Sequence, residues 1–597
     1  MRRPSWPTAA FAVAQAACSA PVTGEVVIAV QTDMAMPKDL DRFDLEVLSG
    51  DNRIINEGFS LGPDPEDVSL PGTQGLTVSD DPSLEIRVTV RGLLRGRVRV
   101  EHTVVTTVPE DRVATLWMPL HFLCSGGEAD AEGACGADRT CVAGTCVDAH
   151  VSAELLPDYV ERDVLHRACF DVARCFGGAD LAEVEPEGCT IAASDDVNVA
   201  IATEGDGVCG PSGCFVPLEA ESEVGWRRTP EGRIALPEAI CSPERQPAPV
   251  VVTSPVTASC PRKRIGDPLC AVDERQPVVL AARQRSPMSL AVSDEAVFWT
   301  EQGSLSAPAD GAVKRVARTG GRPETLASGQ AAPRQIALGE GGRVFWTNHG
   351  IGNRESALMR LIVGSNKPER LLDEPSSGRS GALEGLATNG DRLFWTQLSG
   401  SPGEPGSVGQ MDLSRRVPEP VFDAGSYPYR IAAADSVVCW TDHGAGETGE
   451  VRCREADAAA PVIVGDREST PYGIALDARD PVEVFWVNYR SGEVVRGAVD
   501  GSRRDVLVEG CKGPYGVALD EQLIYWTNRG DGTVKALPRG AAPGVGCGAG
   551  QVLTLAEGQR SPGAIAAPAG AIYWVNEGSA GEAGGAVVRR AKPPPPR

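Results

Sequence analysis

One short phrase recurs seven times in the second half of this chain, each copy centred on a tryptophan. The copies are Phe298-Trp299-Thr300, Phe345-Trp346-Thr347-Asn348, Phe394-Trp395-Thr396, Cys439-Trp440-Thr441-Asp442, Phe485-Trp486-Val487-Asn488, Tyr525-Trp526-Thr527-Asn528 and Tyr573-Trp574-Val575-Asn576. The tryptophans are spaced by 47, 49, 45, 46, 40 and 48 residues. A period near 45 with several short strands in each copy predicts a β-propeller.

Each copy holds four strand signals. One runs Tyr515-Gly516-Val517-Ala518-Leu519, Leu523-Ile524-Tyr525-Trp526-Thr527, Thr533-Val534-Lys535-Ala536-Leu537 and Val552-Leu553-Thr554-Leu555. The tryptophan falls on the second strand, where it is expected to pack between neighbouring sheets. The Asn or Asp two positions later is expected to bond the turn backbone. Closure is also readable. Leu280-Ala281-Ala282-Arg283-Gln284-Arg285-Ser286-Pro287 matches Leu555-Ala556-Glu557-Gly558-Gln559-Arg560-Ser561-Pro562, which ends a fourth strand and starts the next repeat. Val278 to Gln284 is therefore a fourth strand with no repeat before it. The last repeat, around Trp574, lacks one. Pairing these two ends removes an open sheet edge and predicts a seven-bladed β-propeller over residues 273–592, with a Pro-rich tail at 593–597.

A chain of 597 residues exceeds one core, so further domains are expected. Residues 22–122 alternate apolar and polar, as in Leu84-Glu85-Ile86-Arg87-Val88-Thr89-Val90. About seven such strands predict an immunoglobulin-like β-sandwich, giving an all-β multidomain protein. Residues 123–272 hold 12 of the 17 cysteines and predict a disulfide-rich module, with a helix from Val160 to Phe176. Little continuous apolar sequence runs through it, so its crosslinks are expected to hold it together. No C-x-x-C pair occurs and only six histidines are present, which argues against zinc and for disulfides formed in an oxidising compartment. In the propeller, Cys439 and Cys453 are symmetric about Gly446 and predict a hairpin disulfide with Cα atoms ~5.5 Å apart. That leaves Cys511 to pair with Cys547.

Residues 1–21 read as an export signal. Arg2 and Arg3 precede a short apolar run and Ala16-Ala17. Two readings stand. One is a plain secretory signal. The other is lipidation at Cys18, since Gln15-Ala16-Ala17-Cys18 resembles a bacterial lipoprotein signal, although it lacks Leu at the third position before the cysteine. No run of 18 apolar residues occurs, so no transmembrane helix is expected and any membrane contact runs through the lipid. The formal net charge of −24 argues against nucleic acid as a partner and against charge-driven adhesion to an anionic membrane.

The repeated phrase resembles the YWTD repeats of low-density-lipoprotein-receptor-type propellers, with Tyr525-Trp526-Thr527-Asn528 nearest to it. The resemblance covers about 275–592. It implies an extracellular binding or spacing module beside cysteine-rich modules. The chain departs from it in having seven copies rather than six, and Phe more often than Tyr. The whole arrangement is also similar to uncharacterised surface lipoproteins of myxobacteria.

Candidate site residues come from aligning the positions just after the proline that usually starts each first strand. They are Met288, Arg334, Glu384, Tyr429, Tyr472, Tyr515 and Gly563. Three adjacent repeats place tyrosine there, although the chain has only eight. Tyr429, Tyr472 and Tyr515 are expected to line the channel mouth, partly exposed, with Arg334 and Glu384 continuing the rim. A flat ring with a hydrogen-bonding tip suits a glycan, peptide or protein ligand. The alternative is repeat duplication, each ring packing on its own proline. His349 and His443 follow two of the phrases and read as solvated residues of outer loops, far apart. No catalytic motif and no metal-ligand set is present, and no cofactor is implied. The expected function is a non-enzymatic binding or scaffold protein of the cell envelope or extracellular space. A propeller hydrolase or lyase would need carboxylate, amide and histidine side chains converging in the channel. A purely structural envelope protein is the third reading.

Overall fold

The computed structural model describes residues 24–594, apart from 78–82, 126–134, 193–195, 244–247, 304–308, 352–355, 366, 374–380, 400–403, 416–417, 445–447, 456–457, 459, 480 and 579–583. Cys18 and the export signal lie outside the described residues. The chain divides into two compact units, 1–272 and 273–597, and both are built almost wholly of strands.

The first unit opens with β1 (Glu25–Thr32), β2 (Arg42–Ser49), β3 (Asn52–Ser60), β4 (Gly72–Thr77), β5 (Ile86–Leu94), β6 (Arg97–Thr106) and β7 (Val113–Leu120). Alternate residues such as Val26, Ile28 and Val30, or Phe43, Leu45 and Val47, point into one shared core with Val88, Val90, Leu116 and Met118. The sheets run β4-β1-β7 and β3-β2-β5-β6. This departs from the immunoglobulin order, in which the first, second, fifth and fourth strands share a sheet. Here the first strand pairs in parallel with the seventh, Val26 beside Ala114. Period-two patterning shows which face of a strand is buried and does not rank its partners.

Residues 169–270 correct a second expectation. They carry their own five-stranded sheet, centred on Val197–Thr203 between Val250–Pro255 and Gly213–Leu218. Val199 and Ile201 face a core with Ile191, Val216, Trp226 and Val251, while Ala200 faces Phe170, Phe176 and Phe215. Crosslinks therefore supplement a core here. The single helix expected from Val160 to Phe176 is two turns, Glu161–Leu165 and Val172–Cys175, interrupted where Cys169 bonds to Cys270. The other bridges of this unit are Cys124–Cys141, Cys135–Cys146, Cys175–Cys260, Cys189–Cys241 and Cys209–Cys214.

The second unit is propeller-like. Among the described residues it has seven sheets built on four antiparallel strands each; in the fifth a short parallel strand, Val545–Gly546, is added at the outer edge, and in the seventh the outermost strand comes from the start of the unit. Their inner strands are Pro287–Val292, Pro333–Gly339, Leu383–Thr388, Pro428–Ala434, Pro471–Asp477, Pro514–Leu519 and Pro562–Ala566. Each touches the next, and the seventh touches the first, so the ring is closed. The outer strand of the seventh sheet is Val278–Gln284, which pairs with Gly585–Ala591 near the C-terminus.

The repeated phrase holds this ring together through the alternation of a strand. Trp299 joins the core that contains Tyr573 and Val587 of the preceding sheet, while Phe298 joins Trp346 of the following one. Trp486 likewise packs on Cys439 and Val451 of the sheet before it. An aromatic pair at adjacent positions thus fills the gaps on both sides of its sheet. The next residue adds a latch. The hydroxyls of Thr300, Thr347, Thr396, Thr441 and Thr527 donate to the carbonyls of Arg334, Glu384, Tyr429, Tyr472 and Gly563 on the next inner strand, at 2.5–3.1 Å.

The Asn position differs from expectation. Asn348 and Trp346 both donate to Gln330, and Asn576 and Trp574 both donate to Gln559, at the end of the preceding sheet. Asn488 and Trp486 donate to Glu468 in the same way. Asp442, a pure acceptor, does bond turn backbone, at Tyr427 and Gly444. Cys439 and Cys453 sit directly opposite in the ladder and are bonded, with Cα atoms 4.0 Å apart. That is closer than the spacing expected of a general disulfide, because facing residues of an antiparallel pair approach to about 4.5 Å. Cys511 is bonded to Cys547.

Candidate functional site

The inner strands bring their first residues to one mouth of the ring, and a second set of residues joins them. These lie three positions after each tryptophan: Gln302, His349, Leu398, His443, Tyr489, Arg529 and Glu577. In all seven sheets the backbone N–H of that residue donates to the carbonyl of the residue before the lead of the inner strand's first turn, namely Ser286, Ala332, Ala382, Tyr427, Thr470, Gly513 and Ser561, at 2.9–3.1 Å. Ser286, Ala332, Thr470 and Ser561 take a left-handed backbone there, with φ of 48–57°, although none is glycine. That conformation is costly for such residues and turns their carbonyls toward the incoming loop.

Tyr429, Tyr472 and Tyr515 meet at this mouth. The Tyr429 and Tyr515 hydroxyls are 3.4 Å apart although their sheets are not adjacent, so these side chains reach across the ring toward its axis. Tyr472 lies between them, with ring centroids 5.2 Å from Tyr429 and 4.6 Å from Tyr515. Tyr429 and Tyr472 are half-buried. Tyr515 is only 4% exposed. Its ring is covered by Tyr472 and by Arg529, whose guanidinium sits 4.8 Å above it.

The histidines are not solvated outer-loop residues. His443 lies 4.3 Å from both Tyr429 and Tyr472 and stacks on Tyr427 at 5.8 Å. Burial lowers its pKa to about 4, so the ring is neutral at physiological pH. His349 Nδ1 lies 2.7 Å from Glu384 Oε1, and Arg334 Nε is 3.8 Å from the other oxygen. Burial pushes the Glu384 carboxyl up, but His349 and Arg334 outweigh it and hold it below its ordinary value. Arg334 and Glu384 thus join the mouth as an ion-paired corner with His349.

Beneath the rings, Arg430 Nη1 reaches 3.1 Å to Gln335 of a non-adjacent sheet, again across the axis. Arg529 pairs with Glu577, whose carboxyl is raised by burial and only partly restored by that arginine. Burial pushes the Tyr472 hydroxyl up to about 12 and Tyr429 well above its ordinary value. Both therefore remain O–H donors at any physiological pH. The mouth is an aromatic surface of neutral rings over a layer of arginine, glutamate and amide groups. Among the described residues no group of three His, Cys, Asp or Glu side chains is placed to hold a metal ion.

The alignment of lead positions was enough to find the three tyrosines, Arg334 and Glu384. It passed over Gln335, Arg430, Arg529 and Glu577. The signal for the last two was present, since they occupy the same offset from tryptophan as the two histidines.

No family model matches the chain. Over 90 residues it is 33% identical to vitellogenin receptor Yl of Drosophila melanogaster, a match covering 15% of this chain and 4% of that receptor. It is similar to a chain of the nidogen/laminin complex at 20% identity, covering 39% of this chain and 87% of that one, with a TM-score of 0.31. Streptogramin B lyase is similar at 13% identity over 53% of this chain and 96% of its own, with a TM-score of 0.40. The resemblance to YWTD-type propellers thus has a match in sequence over a short stretch. The eight disulfides fit an exported or extracellular protein, and among the described residues no helix is long and apolar enough to cross a membrane.

Proposed function

We propose that this chain is an exported binding protein whose second unit, a seven-bladed propeller, recognises a peptide segment of a protein partner at the tyrosine-lined mouth. The observation that carries this reading is the convergence of Tyr429, Tyr472 and Tyr515 around His443 on one face of the ring. Tyrosine supplies large contact area with little conformational entropy to lose, and the rings are already held against each other. The test is a peptide and glycan array probed with the full chain and with Tyr472→Ala. Truncating a central aromatic is expected to cost about 1–3 kcal/mol of binding, roughly ten- to a hundredfold. The variant should stay folded with at most a modest fall in melting temperature, because Tyr472 is half-buried at the mouth and packs only partly against the core between the fifth and sixth sheets. Equal binding by the variant, or glycans as the sole ligands, would count against the peptide reading.

A second reading has one observation in its favour. His349 against Glu384, with Arg334 beside them, is a base-and-orienter geometry in the channel, as a hydrolase or lyase would need. Ligand recovered chemically unchanged supports binding. A product whose formation is lost in His349→Ala supports catalysis.

Attachment to the cell envelope through lipid at Cys18 belongs to the same proposal. Firm anchoring takes at least two acyl chains, which a lipidated N-terminal cysteine would carry. Cys18→Ser is expected to move the protein from the membrane fraction to the soluble fraction. Unchanged fractionation leaves the plain secretory reading.

A further inference from the structure

Arg430 is out of balance with its surroundings. Its guanidinium lies at the axis of the ring, under Tyr429 at 5.2 Å, and bonds to the neutral amide of Gln335. Among the described residues no carboxylate comes within 4 Å of it. The two acids of the mouth are already engaged, Glu384 by His349 and Arg334, and Glu577 by Arg529. A guanidinium keeps its charge in any protein environment, and this one is half-buried with its acidic neighbours paired elsewhere. Two further groups at the mouth lack a hydrogen-bond partner while buried, Nε2 of His443 and Nε of Arg334. The arginines there outnumber the glutamates, three to two, inside a chain of net charge −24.

We propose that Arg430 is the receptor for a carboxylate of the ligand, bound on the axis between the hydroxyls of Tyr429 and Tyr515. The proposal rests on the mouth being the ligand surface and names the group that surface selects. A carboxylate meets a guanidinium in a planar two-bond fork, and the flanking O–H groups supply further donors. An acidic side chain and a free chain terminus both provide the group.

The test titrates the full chain with hexapeptides blocked at both ends that carry Asp, Glu, Asn or Gln at the centre, and with the amide-bearing members given a free C-terminal carboxylate. Carboxylate members are expected to bind at least ~10-fold tighter than their amide counterparts, since a charge-assisted fork replaces a neutral contact. Arg430→Gln should remove that advantage. A gain confined to Asp and Glu peptides identifies a side chain as the source, and a gain confined to free termini identifies the chain end. Equal binding by the amides, an advantage that survives Arg430→Gln, or no binding by any carboxylate peptide overturns the proposal. If Tyr472→Ala weakens binding while no carboxylate preference exists, the mouth stands as the ligand surface and the anion site falls. If neither variant changes binding, both fall.

Discussion

A chain shortened to begin at residue 292 should lose the cooperative unfolding that a chain beginning at residue 273 retains. The difference between them contains Val278–Gln284, the outer strand of the seventh sheet, and most of Pro287–Val292, the inner strand of the first. Val279, Leu280 and Ala281 in that strand are at most 4% exposed, and Leu280 and Ala281 share a core with Trp299, Tyr573 and Val587. Losing the apolar burial of Val279 and Leu280 removes about 1.5–3 kcal/mol each. It also bares the ladder edge of Gly585–Ala591 and uncovers the side of Trp299. The loss therefore spreads to two sheets rather than fraying one end. Urea unfolding followed by tryptophan fluorescence reports on this directly, since seven of the ten tryptophans sit between the sheets. Equal midpoints and equal steepness in the two shortened chains would show that the closing strand carries nothing.

Glu219→Gln should destabilise the first unit by about 3–5 kcal/mol, the range for breaking a buried ion pair from one side. Glu219, His121, Lys263 and Asp33 are all at most 3% exposed and lie together. Glu219 is 3.4 Å from His121 Nε2 and 3.5 Å from Lys263 Nζ, while Asp33 accepts from the backbone of Phe122. Burial pushes Glu219 up, but His121 and Lys263 outweigh it and hold the carboxyl at about 2. Its contribution is thus full above pH 4.5 and is lost as the pH falls from there toward 2. His121 is opposed by burial, yet Glu219 and Asp33 raise it above its ordinary value. Its contribution is full below pH 6.5 and fades as the pH rises through the raised value. Asp33 runs the other way. Burial lifts it to about 6, so the native state holds a proton there between pH 3.8 and 6, and stability falls as the pH rises across that window. The gap between wild type and Glu219→Gln should be widest from about pH 4.5 to 6.5 and should shrink in acid. Denaturant midpoints across pH 2–8 check it, and an acid limb unchanged by the substitution would remove the assignment to Glu219.

What could be read from the residues depended on how locally each feature is specified. The ring of sheets was legible because a tryptophan in the same short phrase marks every sheet, and because the segments at Leu280 and Leu555 share a sequence that betrays a strand out of place. The partners of the sandwich strands were not, since the alternation of Val26-Val27-Ile28 is satisfied equally by any neighbour that covers the same face. Residues 169–270 looked short of core because their apolar residues come in threes and fours. Trp226, Ile234 and Val251 become one cluster only after the chain returns. His443 was misplaced for a related reason. Its loop was identifiable, but distance from the axis is set by the packing of seven sheets. Arg430 escaped notice because it stands beside a tyrosine that already occupied the aligned position.

At the mouth, the bonds that hold the loops in place run between main-chain atoms. In five of the seven sheets a threonine hydroxyl grips the carbonyl of the first residue of the next, and in all seven a loop N–H grips the carbonyl ahead of it. Neither bond asks anything of the side chain at the positions being held. Those positions already carry Met, Arg, Glu, Tyr and Gly in one set, and Gln, His, Leu, Tyr, Arg and Glu in the other. Fourteen sites facing one opening can therefore change identity while the wall behind them keeps its shape. A lineage, or a designer, can rewrite what such a mouth selects without first re-solving how the ring folds.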